Sequence, residues 1–176
     1  LIELMMGLLY PNSGVIKIDN IELNNSNSYL WQNELAYVPQ KIFLADSSFN
    51  ENIAFGVNID NINYEKIISC CKEVGIHEFI NSKFQKYKTN VGERGINLSG
   101  GQLQRIGIAR ALYKDVKVLF LDEVTSSLDE DTENRIFDLI KKLSSKVTII
   151  IVTHKKTLAN KCDNIINLEE IINTNK

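Results

Sequence analysis

The sequence predicts an α/β domain with a mostly parallel sheet, interrupted by an inserted helical lobe. Three observations predict it. Two largely apolar runs, at 116–121 and 147–152, suit strands buried on both faces, as in parallel sheets. Amphipathic stretches at 102–113 and 130–143 carry apolar residues every three to four positions and read as covering helices. From 46 to 112 the pattern changes from strands to helices, which marks the lobe.

Composition sets the bounds. The 176 residues make one domain, or one domain with an inserted lobe, large enough to bury a core. Hydrophobic residues at 44% and charged residues at 24% are ordinary for a globular chain. A formal net charge of −2 gives no electrostatic sign of nucleic-acid binding. Cys70, Cys71 and Cys162 fit neither a disulfide framework nor a zinc pattern, and read as reduced packing residues in a cytosolic compartment. No apolar run approaches the roughly 18 residues that a membrane helix needs, and no signal peptide is visible. Any membrane role is expected to act through another segment or chain.

In chain order, residues 1–10 read as an apolar helix ended by Pro11 and the turn residues Asn12, Ser13 and Gly14. Residues 15–19 alternate as a half-buried strand, and 20–27 are a polar, Asn-rich surface loop. Residues 36–38 form a short strand leading into Pro39-Gln40. Within the lobe, 64–74 is a helix with Ile67, Cys71 and Val74 on one face and Gly75 at its end, and 76–80 begins another. Residues 130–143 turn Ile136, Ile140 and Leu143 inward, and 164–168 make a last short strand. The tail over 171–176 carries no pattern.

The chemistry concentrates in a few places. Ser99 and Gln102 fit the S-x-x-Q capping box, so a helix is expected to start there. Gly100 and Gly101 would present backbone N–H groups to an anion at close range, although an ordinary capped helix has the same residues. The run over 116–121 ends in Asp122-Glu123, and in open α/β sheets ligands bind beyond the carboxyl ends of strands. One carboxylate there can hold Mg²⁺, directly or through water, while a second orients an attacking water. His154 closes the second run in the same way. Each has a bland alternative: acids that merely end a strand, a structural histidine, a surface glutamine at Gln40.

Together these segments resemble the nucleotide-binding domain of ABC transporters. Residues 98–102, 119–123, 126–129 and Thr153-His154 are similar, in order and spacing, to its signature motif, Walker B motif, D-loop and switch histidine. Gln40 in Tyr37-Val38-Pro39-Gln40 resembles the Q-loop glutamine. Residues 46–56 and 89–95 are similar to segments of exporter-type members, the second of them a loop that touches coupling helices. The resemblance covers nearly the whole chain, and five motifs in order make it specific.

The resemblance implies a P-loop NTPase-like core with an inserted α-helical subdomain, divided as 1–45, 46–112 and 113–176. It implies ATP and Mg²⁺ as ligands. Asp122 and Gln40 would serve the metal, Glu123 would be the general base, and His154 would contact the γ-phosphate. Ser99, Gly100, Gly101 and Gln102 would close on ATP held by a second nucleotide-binding domain, with Asp129 at the dimer seam. Transmembrane domains, expected upstream in the same chain, would place this domain on the cytoplasmic face of an inner or plasma membrane.

One departure stands out. The family's phosphate loop, G-x-x-x-x-G-K-[ST], is absent, and residues 1–9 resemble the helix that follows it. The expectation is a chain cut just downstream of that loop, so the strand feeding it and an adenine-stacking aromatic are missing too. Activity is expected of the intact parent: an exporter or flippase motor hydrolysing ATP. A soluble ABC ATPase of translation or DNA maintenance is one alternative, although the compact spacing from Gln40 to Leu98 leaves no room for a coiled coil. A non-catalytic interaction domain is the other.

Overall fold

The computed structural model describes residues 1–92, 98–168 and 170. Helix α1 (Ile2–Met5) stops at Gly7, whose φ of +68° suits a residue without a Cβ. Gly7 N–H donates to the Leu4 carbonyl and Leu8 N–H to the Glu3 carbonyl, the paired bonds of a Schellman cap. The helix predicted over 1–10 is therefore halved, because Gly7 turns the chain before Pro11 can.

Strands β1 (Lys17–Ile18) and β2 (Ile21–Glu22) form an antiparallel hairpin. Asp19 and Asn20 at its tip have φ of 48° and 66°, the signs of a two-residue type I′ turn. The hairpin corrects two expectations: the strand over 15–19 shrinks to two residues, and the loop over 20–27 contributes a strand. Helix α2 (Ser28–Asn33) follows. Its Trp31 indole donates to the Met5 carbonyl at 2.8 Å, and Gln32 donates to the Gly7 carbonyl at 2.9 Å, which ties α2 to the end of α1.

Strand β3 (Leu35–Val38) leads out of this unit into four helices: α3 (Phe49–Ile53), α4 (Tyr64–Glu73), α5 (His77–Asn81) and α6 (Gly100–Tyr113). The chain then returns through β4 (Val118–Asp122), α7 (Glu130–Leu143), β5 (Thr148–Val152) and the short α8 (Lys156–Ala159). Start signals in the sequence match these bounds. Ser48 and Ser99 each complete a capping box, with Glu51 and Gln102 respectively, and Asp129 caps α7.

The sheet runs β3-β4-β5, all parallel, with Leu35 opposite Val118 and Val118 opposite Thr148. Alternation gives β4 two buried faces. Leu119 and Leu121 join the core built with Ile106, Ile108 and Ala109 of α6 and Ile136, Ile140 and Leu143 of α7. Phe120 joins Met6 and Leu35 on the opposite face. The second predicted strand differs from expectation. Thr148 and Val152 are exposed and 149–151 only half-buried, because one edge of β5 pairs with nothing among the described residues. The strand expected over 164–168 does not form: a strand needs a neighbour, and none lies beside it among the described residues. Of the segment 89–95, Thr89–Val91 packs against Ser47–Phe49 through backbone bonds, while 93–95 lie outside the described residues, as does 171–176.

The helices share the core of the sheet, with Phe49, Ile53, Ile67, Val74 and Ile80 all buried. Cys70 and Cys71 are buried free thiols, and burial pushes Cys71 up to about 12, which leaves it unreactive. Asn52 is fully buried at the centre of a polar knot. Its Oδ1 accepts from Ala45 N–H at 2.9 Å, and its Nδ2 donates to the Ala45 carbonyl at 3.0 Å and the Ser48 carbonyl at 3.1 Å. Arg110 of α6 donates from Nε to the Asn52 carbonyl at 2.8 Å and from Nη1 to the Phe43 carbonyl at 3.1 Å. These bonds fasten the segment after β3 to α6. Asn52→Ala strands an N–H and two carbonyls, so a loss of about 2 kcal/mol is expected in urea unfolding. Asn52→Asp keeps the shape but turns an acceptor toward two carbonyls, and is expected to cost more than Asn52→Ala.

Candidate functional site

The parallel register brings three strand ends to one edge. Val38 lies opposite Leu121 and Asp122 opposite Val152, so Gln40, Glu123 and His154 emerge side by side. Glu123 N–H extends the ladder, donating to the Val152 carbonyl at 2.9 Å. Gln40 Nε2 donates to Glu123 Oε2 at 3.1 Å and to Ser126 Oγ at 2.9 Å. His154 Nδ1 lies 3.0 Å from the other Glu123 oxygen, Oε1. The Glu123 carboxylate is thus gripped on both oxygens. Its backbone has a φ of +47°, a left-handed conformation that costs a non-glycine residue energy and recurs where function demands it.

Asp122, next to it, is the last residue of β4. The Tyr37 phenol donates to its Oδ2 at 2.8 Å, while Oδ1 takes no partner among the described residues. Burial, and then the bond to Asp122, push the Tyr37 hydroxyl up to about 12, so it remains a donor at any physiological pH. Gln104, buried on α6, donates to the Gln40 carbonyl at 3.2 Å and holds that loop against the helix.

The four residues 99–102 stand apart from this cluster. Ser99 Oγ accepts from Gln102 N–H at 3.3 Å, and Gln102 Oε1 accepts from Ser99 N–H at 2.9 Å, the reciprocal bonds of the predicted box. Gly100 and Gly101 N–H groups find no protein acceptor among the described residues, as an anion-binding helix start requires. The glycines have a second reason that the sequence did not reveal. A Cβ on Gly100 would sit 3.0 Å from Leu128 Cδ2, and one on Gly101 only 2.7 Å from Thr132 Cγ2. Helix α6 therefore lies directly against the turn at 126–129 and the first turn of α7. Asp129 caps α7 through Thr132 N–H at 2.9 Å, a bond that holds its carboxyl below the ordinary value. It makes no bond to Gln40, Glu123 or His154.

The donor set suits a hard cation. Asp122 Oδ1 and Gln40 Oε1 are free oxygens, and no cluster of three or more His, Cys, Asp or Glu able to hold a metal exists among the described residues. Mg²⁺ takes one or two protein oxygens and completes its shell with water and phosphate, so the residues fit it.

A sequence model described as ABC transporter matches residues 1–126. The chain belongs to the ABC transporter family. The chain is 38% identical over 169 residues to ABC transporter B family member 14 of Arabidopsis thaliana, covering 96% of this chain and 13% of that protein. It is 39% identical over 170 residues to the uncharacterized ABC transporter ATP-binding protein YfiB of Bacillus subtilis, covering 97% of this chain and 29% of that one. A bacterial Atm1-family ABC exporter, solved with ATP bound, superposes with a TM-score of 0.78 at 34% identity, over 90% of this chain and 28% of the exporter. The chain therefore spans less than a third of these relatives' length, and it is homologous to the ATP-binding domain of ABC exporters.

Several residues of this ABC domain's site escaped the sequence reading. Tyr37 lies in the Tyr37-Val38-Pro39-Gln40 segment, whose resemblance to the Q-loop gives it no role. Its signal was its place three positions before Gln40, on the strand beside Asp122. Ser126 was placed in the turn but not on Gln40. Gln104 gave no signal beyond being polar near a helix start. The glycine packing is testable. Gly101→Ala is expected to destabilise the intact protein by about 1 kcal/mol despite the gain in helix propensity. Adding Thr132→Ser, which removes Cγ2, is expected to restore most of the loss in a thermal melt.

Proposed function

We propose that this chain is part of an ATP-hydrolysing motor that drives transport across a membrane, of the exporter or lipid and saccharide flippase type. The observation that carries the reading is Glu123, held in a left-handed backbone between Gln40 and His154 where three parallel strands end. A carboxylate with both oxygens oriented is placed to take a proton from water, as phosphoryl transfer to water demands.

In this reading Glu123 is the general base. His154 keeps one Glu123 oxygen in place and turns its remaining ring nitrogen toward the γ-phosphate. Gln40 holds the other Glu123 oxygen and offers its own Oε1 to the metal. Asp122 presents Oδ1 to the metal's shell, and Tyr37 prevents that carboxylate from rotating. Bound Mg²⁺ supplies charge neutralisation on the phosphate oxygens. Gly100 and Gly101 offer free N–H groups, Ser99 its hydroxyl and Gln102 its side-chain amide to the ATP of a second nucleotide-binding domain, and Asp129 lies at the seam between the two.

The division into core segments 1–45 and 113–176 with a helical lobe over 46–112 belongs to the same proposal. So do transmembrane domains as partners and a place on the cytoplasmic face of the membrane. Among the described residues no helix is long and apolar enough to cross a bilayer, so the crossing is assigned to those partner domains.

Two variants of the intact protein separate chemistry from closure. Glu123→Gln removes the base yet keeps an amide of the same size, so ATP turnover is expected to fall by about 10²-fold or more. The nucleotide should still bind and stabilise a dimer in size-exclusion chromatography. Ser99→Arg places a bulky cation at the start of α6; ATP binds in cis, but no ATP-dependent dimer forms. Turnover at the parental rate in Glu123→Gln assigns the base elsewhere.

A further inference from the structure

We propose that Lys155 is a positioning residue that ties the end of β5 to the turn at 126–129 and, through that turn, to the start of α6. The proposal rests on the reading of Glu123 and His154 as reacting groups, and it adds the element that keeps them in register with the seam.

Three contacts of Lys155 carry it. Its Nζ donates to the Thr125 carbonyl at 3.0 Å, and it pairs with Glu133 on the first turn of α7. Its backbone N–H donates to Thr153 Oγ1 at 3.1 Å, which fixes the chain on either side of His154. The pair is shielded: the Glu133 side chain is 11% exposed and that of Lys155 27%. Thr125 itself is buried at 2% exposure.

The Thr125 carbonyl is a junction. It also accepts from Leu128 N–H at 3.2 Å, while Ser126 N–H donates to the Glu123 carbonyl at 3.0 Å. One ammonium group therefore braces the turn that begins at Glu123 and ends at the Asp129 cap. The far side of that turn is the surface that Gly100 and Gly101 pack against, through Leu128 and Thr132. A shift of His154 must move Lys155, its sequence neighbour, and the cation transmits the shift to the turn. A structural ion pair alone would need only Glu133. The bond to a backbone carbonyl of the turn makes it a brace.

Stability and bracing can be separated. Replacing both members of a buried pair by apolar residues commonly preserves stability, whereas removing one leaves a buried charge uncompensated. Lys155→Met/Glu133→Leu thus keeps the packing but removes the bond to Thr125. In the intact protein, the amides of Ser126 and Leu128 are expected to exchange hydrogen about tenfold faster in this double variant, with those of β4 unchanged. In a Glu123→Gln background, the ATP concentration for half-maximal dimer closure is expected to rise about tenfold. The affinity of the single domain for ATP stays within about twofold of the parent, and Lys155→Arg, which keeps cation and donors, behaves as the parent.

Unchanged exchange at Ser126 and Leu128 overturns the brace. Faster exchange with unchanged closure makes Lys155 a structural residue only, which also overturns the proposal. If Glu123→Gln shows no ATP-dependent closure even with Lys155 intact, the motor reading fails instead, and the exchange measurement still decides the brace. Lys155→Met/Glu133→Gln removes the same charges without added bulk and gives the same readings should the first double variant not fold.

Discussion

Parallel pairing of β3, β4 and β5 is the constraint on which the site depends. In an antiparallel sheet the carboxyl ends of neighbouring strands point in opposite directions. Here they share an edge, and the register sets Val38 beside Leu121 and Asp122 beside Val152. Gln40, Glu123 and His154 then need no long loops to meet. Each lies within two residues of its strand, so the rigidity of the ladder passes almost undiminished to the side chains. A one-residue slip of β4 would exchange the faces of Asp122 and Glu123 and would force Phe120 into the core that now packs Leu119 and Leu121.

The second constraint is the crowded contact between α6, the turn at 126–129 and α7. Close approach requires Gly100 and Gly101, and it leaves the start of α6 pointing outward with free N–H groups. The same packing makes the turn a shared wall: one side supports α6, and the other receives Lys155 and Ser126. Gln40 and the residue after His154 are thereby linked to the helix start through a handful of contacts.

Legibility in the sequence tracked the range of the deciding interaction. Helices α4, α6 and α7 and strands β3 and β4 were readable because periodicity, capping boxes and a Gly75 stop are local. Gln40, Asp122, Glu123 and His154 stood out through their resemblance to the family's motifs, and each lies at a strand end or within two residues of one. The errors fell where a single dihedral or a distant neighbour decides. Gly7 ended α1 early, Asp19 and Asn20 folded a loop into a hairpin, and 164–168 found no strand to join among the described residues. Tyr37 on Asp122 and Lys155 on Thr125 join residues 85 and 30 positions apart, and no window of sequence displays such a bond.

With Glu123 as the proposed base, its positive φ sets stability against chemistry at one residue. A glycine there would relax the backbone, and asparagine would adopt the left-handed region more readily than glutamate does. Both would discard the carboxylate. A population of this chain selected for resistance to heat alone would thus drift away from the acid, while one selected on turnover would retain it and its strain. The surrounding grip of Gln40, His154 and the Val152 carbonyl holds that conformation in place, so any pressure to keep the carboxylate falls on its neighbours as well.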